Sequence, residues 1–405
     1  MFGPIGMATS RNLASVMLAV CAASAFSFDV TAKSALIMDE QTGKILWQKN
    51  SNWRMHPAST TKIMTGLLLL ENTVPAEKIV APAGLEKYPE SSLHLKRGEI
   101  VSAKGMLYAI MLRSANDACV AIAHHLGGSV AGFAKLMNKR AKELGCKDTN
   151  FVNPNGLTDP KHLTTAYDLA LMAREAMKVD AFREAVKTQK YLITRSINQK
   201  DLAIKTHNKW LAKDLSADGI KTGYTRAAGR CYVGSATRDG YRLITVILRS
   251  ENWQVDHQAM LDWAYANHYR ERIAGPGVGF TKVAVQNGDI DEISVSVKEP
   301  VERIRRVGPE DTFATKLDVH TELTAPISAG QELGTATFSD ASGWSKTVPI
   351  VAAESVDEAP SLWATPVGSM GSGILMGTLS VGIFGTQTRR RRTRTHAKHG
   401  RLPKT

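Results

Sequence analysis

At 405 residues, with 43% hydrophobic and 22% charged side chains, the chain has apolar material for two domain-sized cores and no sign of global disorder. Its formal charge of +13 suggests nucleic acid, but eight Lys or Arg and no acid fall within residues 389–405, leaving +5 for everything before them. The basicity belongs to a tail, which argues against nucleic acid as a partner.

Residues 1–25 read as a secretory signal peptide. Arg11 supplies positive charge, residues 13–25 are apolar or small, and Ala23-Ser24-Ala25 is an A-x-A cleavage site before Phe26. A lipidated Cys21 is the weaker alternative, because Val20 stands where a small residue is wanted. With Cys21 in that segment, Cys119, Cys146 and Cys231 remain. They read as packed thiols, with a single bridge among them left open. Residues 35–38 and 44–47 are apolar runs flanking a five-residue loop, which predicts a hairpin. Apolar spacing of three and four predicts helices over 106–112, 118–126, 133–144 and 165–177. A second hairpin follows over 231–236 and 243–248, turning at Asp239-Gly240. Strands from both ends of this region, 26–272, predict one sheet with helices packed on it. The Gly/Pro cluster 273–279 reads as a linker. A small β domain is then expected over 280–353, with strands at 282–285, 293–297, 317–323 and 334–338, and a second linker at 354–360. Residues 361–388 carry no charge and are long enough to span a bilayer. The basic tail 389–405 would then lie in the cytoplasm by the positive-inside rule. A flexible linker or an interfacial helix is the alternative, although an interfacial helix normally carries a charged face.

Three short words could carry chemistry. Ser59-x-x-Lys62 precedes a strongly apolar helix. One turn separates the two side chains, so the amine can reach the hydroxyl. A serine needs a base to become a nucleophile, and a lysine in a desolvated place can lose its charge and serve as one. Ser114-Ala115-Asn116 interrupts another apolar stretch. Alone it is a turn between helices; in a cleft it offers a proton relay and an amide clamp. Lys221-Thr222-Gly223 lies just before the second hairpin, where an edge strand is expected. Charge and hydroxyl suit a peptide carboxylate, and the glycine lets a substrate backbone approach. Read singly, each word is weak. The eleven His show no H-E-x-x-H, so neither a metal nor any other cofactor is implied.

In this order the three words make up the serine acyl-transfer set of penicillin-binding proteins and class A β-lactamases. With Asp39-x-x-Thr42-Gly43, Asn153-Pro154-Asn155-Gly156-Leu157 and Asp218-Gly219-Ile220 around them, the chain resembles the low-molecular-mass D-alanyl-D-alanine carboxypeptidases from about residue 34 to 263. A fainter likeness at Ala325-Pro326-Ile327 extends to that family's β-rich second domain. The resemblance implies an α/β (α+β) penicillin-binding transpeptidase-like domain, an antiparallel sheet with helices on both faces, followed by a small all-β domain. It implies Ser59 as nucleophile, Lys62 as base and Ser114 as proton relay. Asn116, Lys221, Thr222, Gly223 and Tyr224 would bind substrate, with the oxyanion between the N–H groups of Ser59 and Tyr224. The expected partners are the peptidoglycan stem pentapeptide, β-lactam antibiotics as covalent inhibitors, and the membrane. Rival readings are an endopeptidase cutting cross-links, a β-lactamase and a non-catalytic peptidoglycan-binding scaffold. For the β-lactamase, Glu175 and Glu184 fall in the right interval but without a Glu-x-x-Leu-Asn.

Overall fold

The computed structural model describes residues 28–308, 312–319, 322–341 and 343–360; the expected signal peptide, spanning segment and basic tail lie outside the described residues. β1 (Ser34–Asp39) turns back into β2 (Ile45–Lys49), and a 3-10 turn, Ala58–Thr61, then feeds α1 (Lys62–Asn72). A short pair, β3 (Lys78–Val80) and β4 (Ile100–Ser102), precedes α2 (Ala103–Tyr108), which is capped by the Ser102 hydroxyl. α2 runs into a π-helical turn, Ala109–Arg113, so the helix expected over 106–112 is two pieces. α3 (Asn116–Gly127), α4 (Val130–Glu143), α5 (Ala166–Ala176) and α6 (Asp180–Lys187) follow. A small hairpin, β5 (Lys190–Leu192) with β6 (Ala203–Lys205), leads to three long strands, β7 (Ala217–Thr225), β8 (Gly229–Arg238) and β9 (Tyr241–Ser250), and to α7 (Trp253–Asn267).

The main sheet is antiparallel with order β2-β1-β9-β8-β7, so the chain's beginning is paired with its later strands. Side chains alternate across it. Leu36, Met38, Val233, Val246 and Leu248 face one core with α1, α3 and α5. Ala35, Ile37, Tyr232 and Ile247 face the other, against Met260, Leu261 and Ala264 of α7. Each fully buried aliphatic side chain contributes about 1.5–3 kcal/mol, and helices cover both faces as the resemblance implied.

Beyond α7 come β10 (His268–Ala274), β11 (Thr281–Ala284), β12 (Glu292–Val297), β13 (Val301–Arg306), β14 (Phe313–Val319), β15 (Glu332–Asp340) and β16 (Ser345–Ala352). β10 pairs with β13, while the other five form a separate sheet, β11-β12-β16-β15-β14, around Val295, Phe338 and Ile350. Residues 273 and 274, in the expected linker, are the end of β10. Val356 and Glu358, expected to be linker too, still bridge to Ile327 and Gly288.

One ion network braces the helical side. Arg195 and Glu99 are fully buried and paired, Nε to Oε1 at 2.8 Å and Nη2 to Oε2 at 3.2 Å. Burial pushes the Glu99 carboxyl up, but Arg195 and the N–H groups of Lys96 and Asn198 outweigh it and hold the group below its ordinary range. Arg195 also donates to the Asp201 carbonyl, and the Asp201 carboxylate grips Arg113, the residue before Ser114. Removing one partner of a buried pair strands the other charge. Glu99→Ala should therefore cost about 3–5 kcal/mol in urea unfolding; a loss below about 1 kcal/mol would contradict that account.

Candidate active site

Ser59 sits in the 3-10 turn ahead of α1, one turn before Lys62. α1 is buried from Lys62 to Leu69, so its first side chain is carried into a dry place. The Lys62 Nζ meets three oxygens: Ser59 Oγ at 3.0 Å, Asn116 Oδ1 at 2.8 Å and the Asn155 carbonyl at 2.7 Å. The amide of Asn116 is fixed in sense because its Nδ2 donates to the Glu90 carbonyl at 3.0 Å. Two of the three oxygens can thus only accept, and a neutral amine there has only the Ser59 hydroxyl to point its lone pair toward.

Burial lowers the Lys62 amine to about 8, with the nearby Cys119 thiol and Asp117 carboxylate pulling the other way. Asp117 does not pair with it; its oxygens accept from the backbone N–H groups of Leu93, Leu95 and Ala118. Lys221 is 1% exposed and its Nζ reaches the Thr222 carbonyl at 3.0 Å. Burial, then the charge on Lys62, lowers it to about 7.

β7 is an edge strand, as expected. Gly223 is needed here for a reason other than substrate access: a Cβ on it would lie 3.0 Å from the Ser59 amide nitrogen and 3.1 Å from Ala58 Cβ. The strand thus lies directly against the turn that carries Ser59. Gly156 is tighter still, with φ +86 and a hypothetical Cβ 1.8 Å from the Ala58 carbonyl oxygen. That seats the loop whose Asn155 carbonyl accepts from Lys62. Ala58 has φ 49 and Ser114 φ 64, left-handed values that non-glycine residues keep only where neighbours enforce them. Ser114 Oγ is buried and has no hydrogen-bond partner among the described residues.

Ser59, Ser114, Thr222, Gly223 and Tyr224 line one cleft of about 630 Å³. Lys62 and Lys221 lie behind it, and Asn116 holds Lys62 from the far side with both ends of its amide engaged inside the protein. Glu175 and Glu184 are bonded elsewhere, to Lys178 and to the Tyr108 hydroxyl. Cys119, Cys146 and Cys231 are free thiols. Among the described residues no three His, Cys, Asp or Glu converge as a metal would require.

The words did not point to several contributors. His162 Nδ1 accepts from the Val152 N–H, so its Nε2 donates to Thr61 Oγ1, which donates to the Ala58 carbonyl. Burial lowers His162 to about 4, keeping that tautomer neutral. The cleft's outer wall holds His207, Lys209, Arg230 and Trp253. Only the Asn-Pro-Asn-Gly run signalled any of this beforehand.

A family model described as D-alanyl-D-alanine carboxypeptidase matches residues 19–252, and one described as penicillin-binding protein 5, C-terminal domain matches residues 273–358. The chain is 36% identical over 316 residues to D-alanyl-D-alanine carboxypeptidase DacF of Bacillus subtilis (strain 168), covering 75% of this chain and 80% of that protein. It is 30% identical over 346 residues to D-alanyl-D-alanine carboxypeptidase DacC of Escherichia coli (strain K12), covering 81% and 85%. The solved structure of penicillin binding protein 5 from Haemophilus influenzae superposes with a TM-score of 0.63 at 25% identity, over 82% of this chain and 99% of that one.

Both lysines bind protons less readily folded than unfolded. Between about 7 and the ordinary value of 10.5 the unfolded chain holds more protons, so stability rises with pH across that window. Lys221→Met should flatten the rise, by up to about 1.4 kcal/mol per pH unit in urea unfolding at pH 7.5 and 9.5; an unchanged slope would place that amine in water.

Proposed function

The chain belongs to the D-alanyl-D-alanine carboxypeptidase family, and from that premise we propose that it removes the terminal D-alanine of peptidoglycan pentapeptides through an acyl-enzyme on Ser59. The observation that carries this reading is the Lys62 amine, fully buried and 3.0 Å from Ser59 Oγ. Neutral Lys62 takes the hydroxyl proton as Oγ bonds to the carbonyl carbon of the penultimate D-alanine. The oxyanion lies between the N–H groups of Ser59 and Tyr224, each donor contributing about 3–4 kcal/mol. As the C–N bond breaks, Ser114 hands a proton to the departing amine and takes back the one Lys62 received, so that the lysine ends the step neutral; its hydroxyl, unpartnered among the described residues, is free for that relay. Thr222 holds the terminal carboxylate, and Lys221 adds positive potential behind it. Asn116, buried with both ends of its amide engaged, keeps Lys62 in place rather than touching substrate. Water then hydrolyses the ester. A β-lactam enters the same way, but its leaving amine stays tethered, so the acyl-enzyme persists.

The family supports action outside the cytoplasm, on the cell wall. Residues 1–25 direct export, and residues 361–388 with the basic run 389–405 hold the enzyme to the membrane. No helix among the described residues is long and apolar enough to cross a membrane.

Ser59→Ala should abolish labelling by a fluorescent penicillin and release of D-alanine from pentapeptide; a variant that still labels would sink the assignment. In the native enzyme the acylation rate should rise as pH passes through about 8, where Lys62 sheds its proton. Lys62→Ala should lower it about 10²–10⁴-fold and remove the dependence, checked by stopped-flow labelling. Deleting residues 361–405 should leave a soluble, active enzyme, and an active product still pelleting with membranes would rule out that anchor.

A further inference from the structure

A second hollow, of about 620 Å³, adjoins the turn that leads to Ser59. Lys33, Asn52, Trp53, Arg54, Met55 and Arg249 line it, and none of them lines the cleft. Lys33, Arg54 and Arg249 are exposed, and among the described residues no carboxylate forms an ion pair with any of them. Trp53 between them is 56% exposed. The backbone holds these side chains in place. Asn50 Nδ2 donates to the Lys33 carbonyl at 3.0 Å, the Trp53 N–H to the Asn50 carbonyl at 3.0 Å, and the Met55 N–H to the Thr164 carbonyl at 2.7 Å. The Lys33 N–H in turn donates to the Leu248 carbonyl at 3.1 Å. Arg249 has φ 54, and its stem lies so close over Gly229 that a Cβ there would meet the Arg249 Cγ at 3.0 Å. Left-handed backbone in a bulky residue persists only where its surroundings impose it, and it gathers at binding sites.

The place of the hollow in the fold narrows what fills it. Gly229 pairs with Thr225 at the end of the β7–β8 hairpin, and Tyr224, the residue before Thr225, lines the cleft. Hollow and cleft thus flank one hairpin end. Lys33 precedes β1, whereas Lys44, beyond the other end of β1, donates to the Ile304 carbonyl of β13 at 3.4 Å. Six residues of strand, about 20 Å, therefore separate the hollow from β13, so it opens at the end of the sheet that carries the nucleophile. A bilayer would be met by a protruding apolar edge. A hollow with one bare indole among three cations instead matches a chain that offers flat sugar faces and negative charges.

We infer that this hollow is a second binding site, separate from the cleft, that holds a carboxylate-bearing glycan strand of the wall polymer. A sugar ring lies on Trp53, and carboxylates carried by the strand meet Lys33, Arg54 and Arg249. This rests on the carboxypeptidase reading above and deepens it: the enzyme is favoured on assembled wall over a soluble pentapeptide with the same ending. The test uses the full enzyme in mild detergent, with its cleft first blocked by penicillin. Co-sedimentation is measured with insoluble walls purified free of protein and of attached phosphate polymers. The blocked enzyme should be retained, less so at high salt. Trp53→Ala and Arg54→Ala should each weaken retention about tenfold in apparent Kd, and amidation of the wall's carboxylates should weaken it likewise. Without penicillin, both variants should release D-alanine from soluble pentapeptide as the native enzyme does, but from walls with kcat/KM about tenfold lower. The inference is overturned by no retention of the blocked native enzyme, by equal retention of native and variants, or by retention only on walls that keep their phosphate polymers. An equal loss on soluble and wall-bound substrate also overturns it, since these residues would then merely support the cleft. A native enzyme that neither takes up penicillin nor releases D-alanine would instead overturn the carboxypeptidase reading. The blocked native enzyme, on plain and amidated walls, decides the matter even if a variant does not fold.

Discussion

The site depends on keeping two lysine amines out of water with no carboxylate among the described residues bonded to either. Lys62 is enclosed by neutral oxygens, Lys221 reaches only a carbonyl of its own strand, and charge on Lys62 makes charge on Lys221 less favourable. The Asp117 carboxylate is instead consumed by the backbone N–H groups of Leu93 and Leu95, in the loop before β4, and of Ala118 in its own helix. Had that carboxylate paired with Lys62, the amine would hold its proton through neutral pH. The same residue that orders this loop thus offsets the burial of the lysine only in part, from a distance.

Local geometry around the nucleophile follows from close approach. Ala58 and Ser114 occupy left-handed backbone, each at a cost of about 1–2 kcal/mol. Ala58 is held there by contacts no larger residue would permit: Gly156 against its carbonyl, and Gly223 against its Cβ and the Ser59 N–H. His162 completes the arrangement through Thr61, its ring neutral because it is buried. On the other side, Arg113 carries the buried Glu99–Arg195 pair forward to Ser114. The cleft is therefore braced from the sheet, from the loop after α4, and from the β5–β6 hairpin.

Much of this was legible in the residues because catalysis needs particular side chains at particular spacings. Ser59 and Lys62 had to share a helical face, and the Asp239-Gly240 turn fixed the hairpin that leaves Lys221-Thr222-Gly223 on an edge. Other parts were hidden for physical reasons. α7 distributes apolar residues around its circumference, since Trp253 and Tyr265 pack at its ends as well as Met260 along its length, so no clean helical stripe shows. β13 reads as a charged loop, Val-Glu-Arg-Ile-Arg-Arg. Yet Arg303 is buried, because Glu271 on the neighbouring β10 and Asp340 on β15 meet it at 2.8 and 3.2 Å. Hydropathy cannot register an ion pair whose members lie in separate strands. The cleft's outer wall was equally unreadable, being assembled from His207, Lys209, Arg230 and Trp253 only once the strands are in place.

The central position of β1 has a bearing on how the enzyme is made. Ser34–Asp39 lies between β2 and β9, and β9 ends only at Ser250. The first strand must wait, one edge unsatisfied, while about two hundred residues of helix and loop are delivered. Pairings so distant in sequence form slowly, because loop closure must precede the contacts that reward it. The nucleophile's turn therefore has no strand beside it until the last third of the catalytic region arrives. A chain interrupted before that point holds its serine and its lysine but no site.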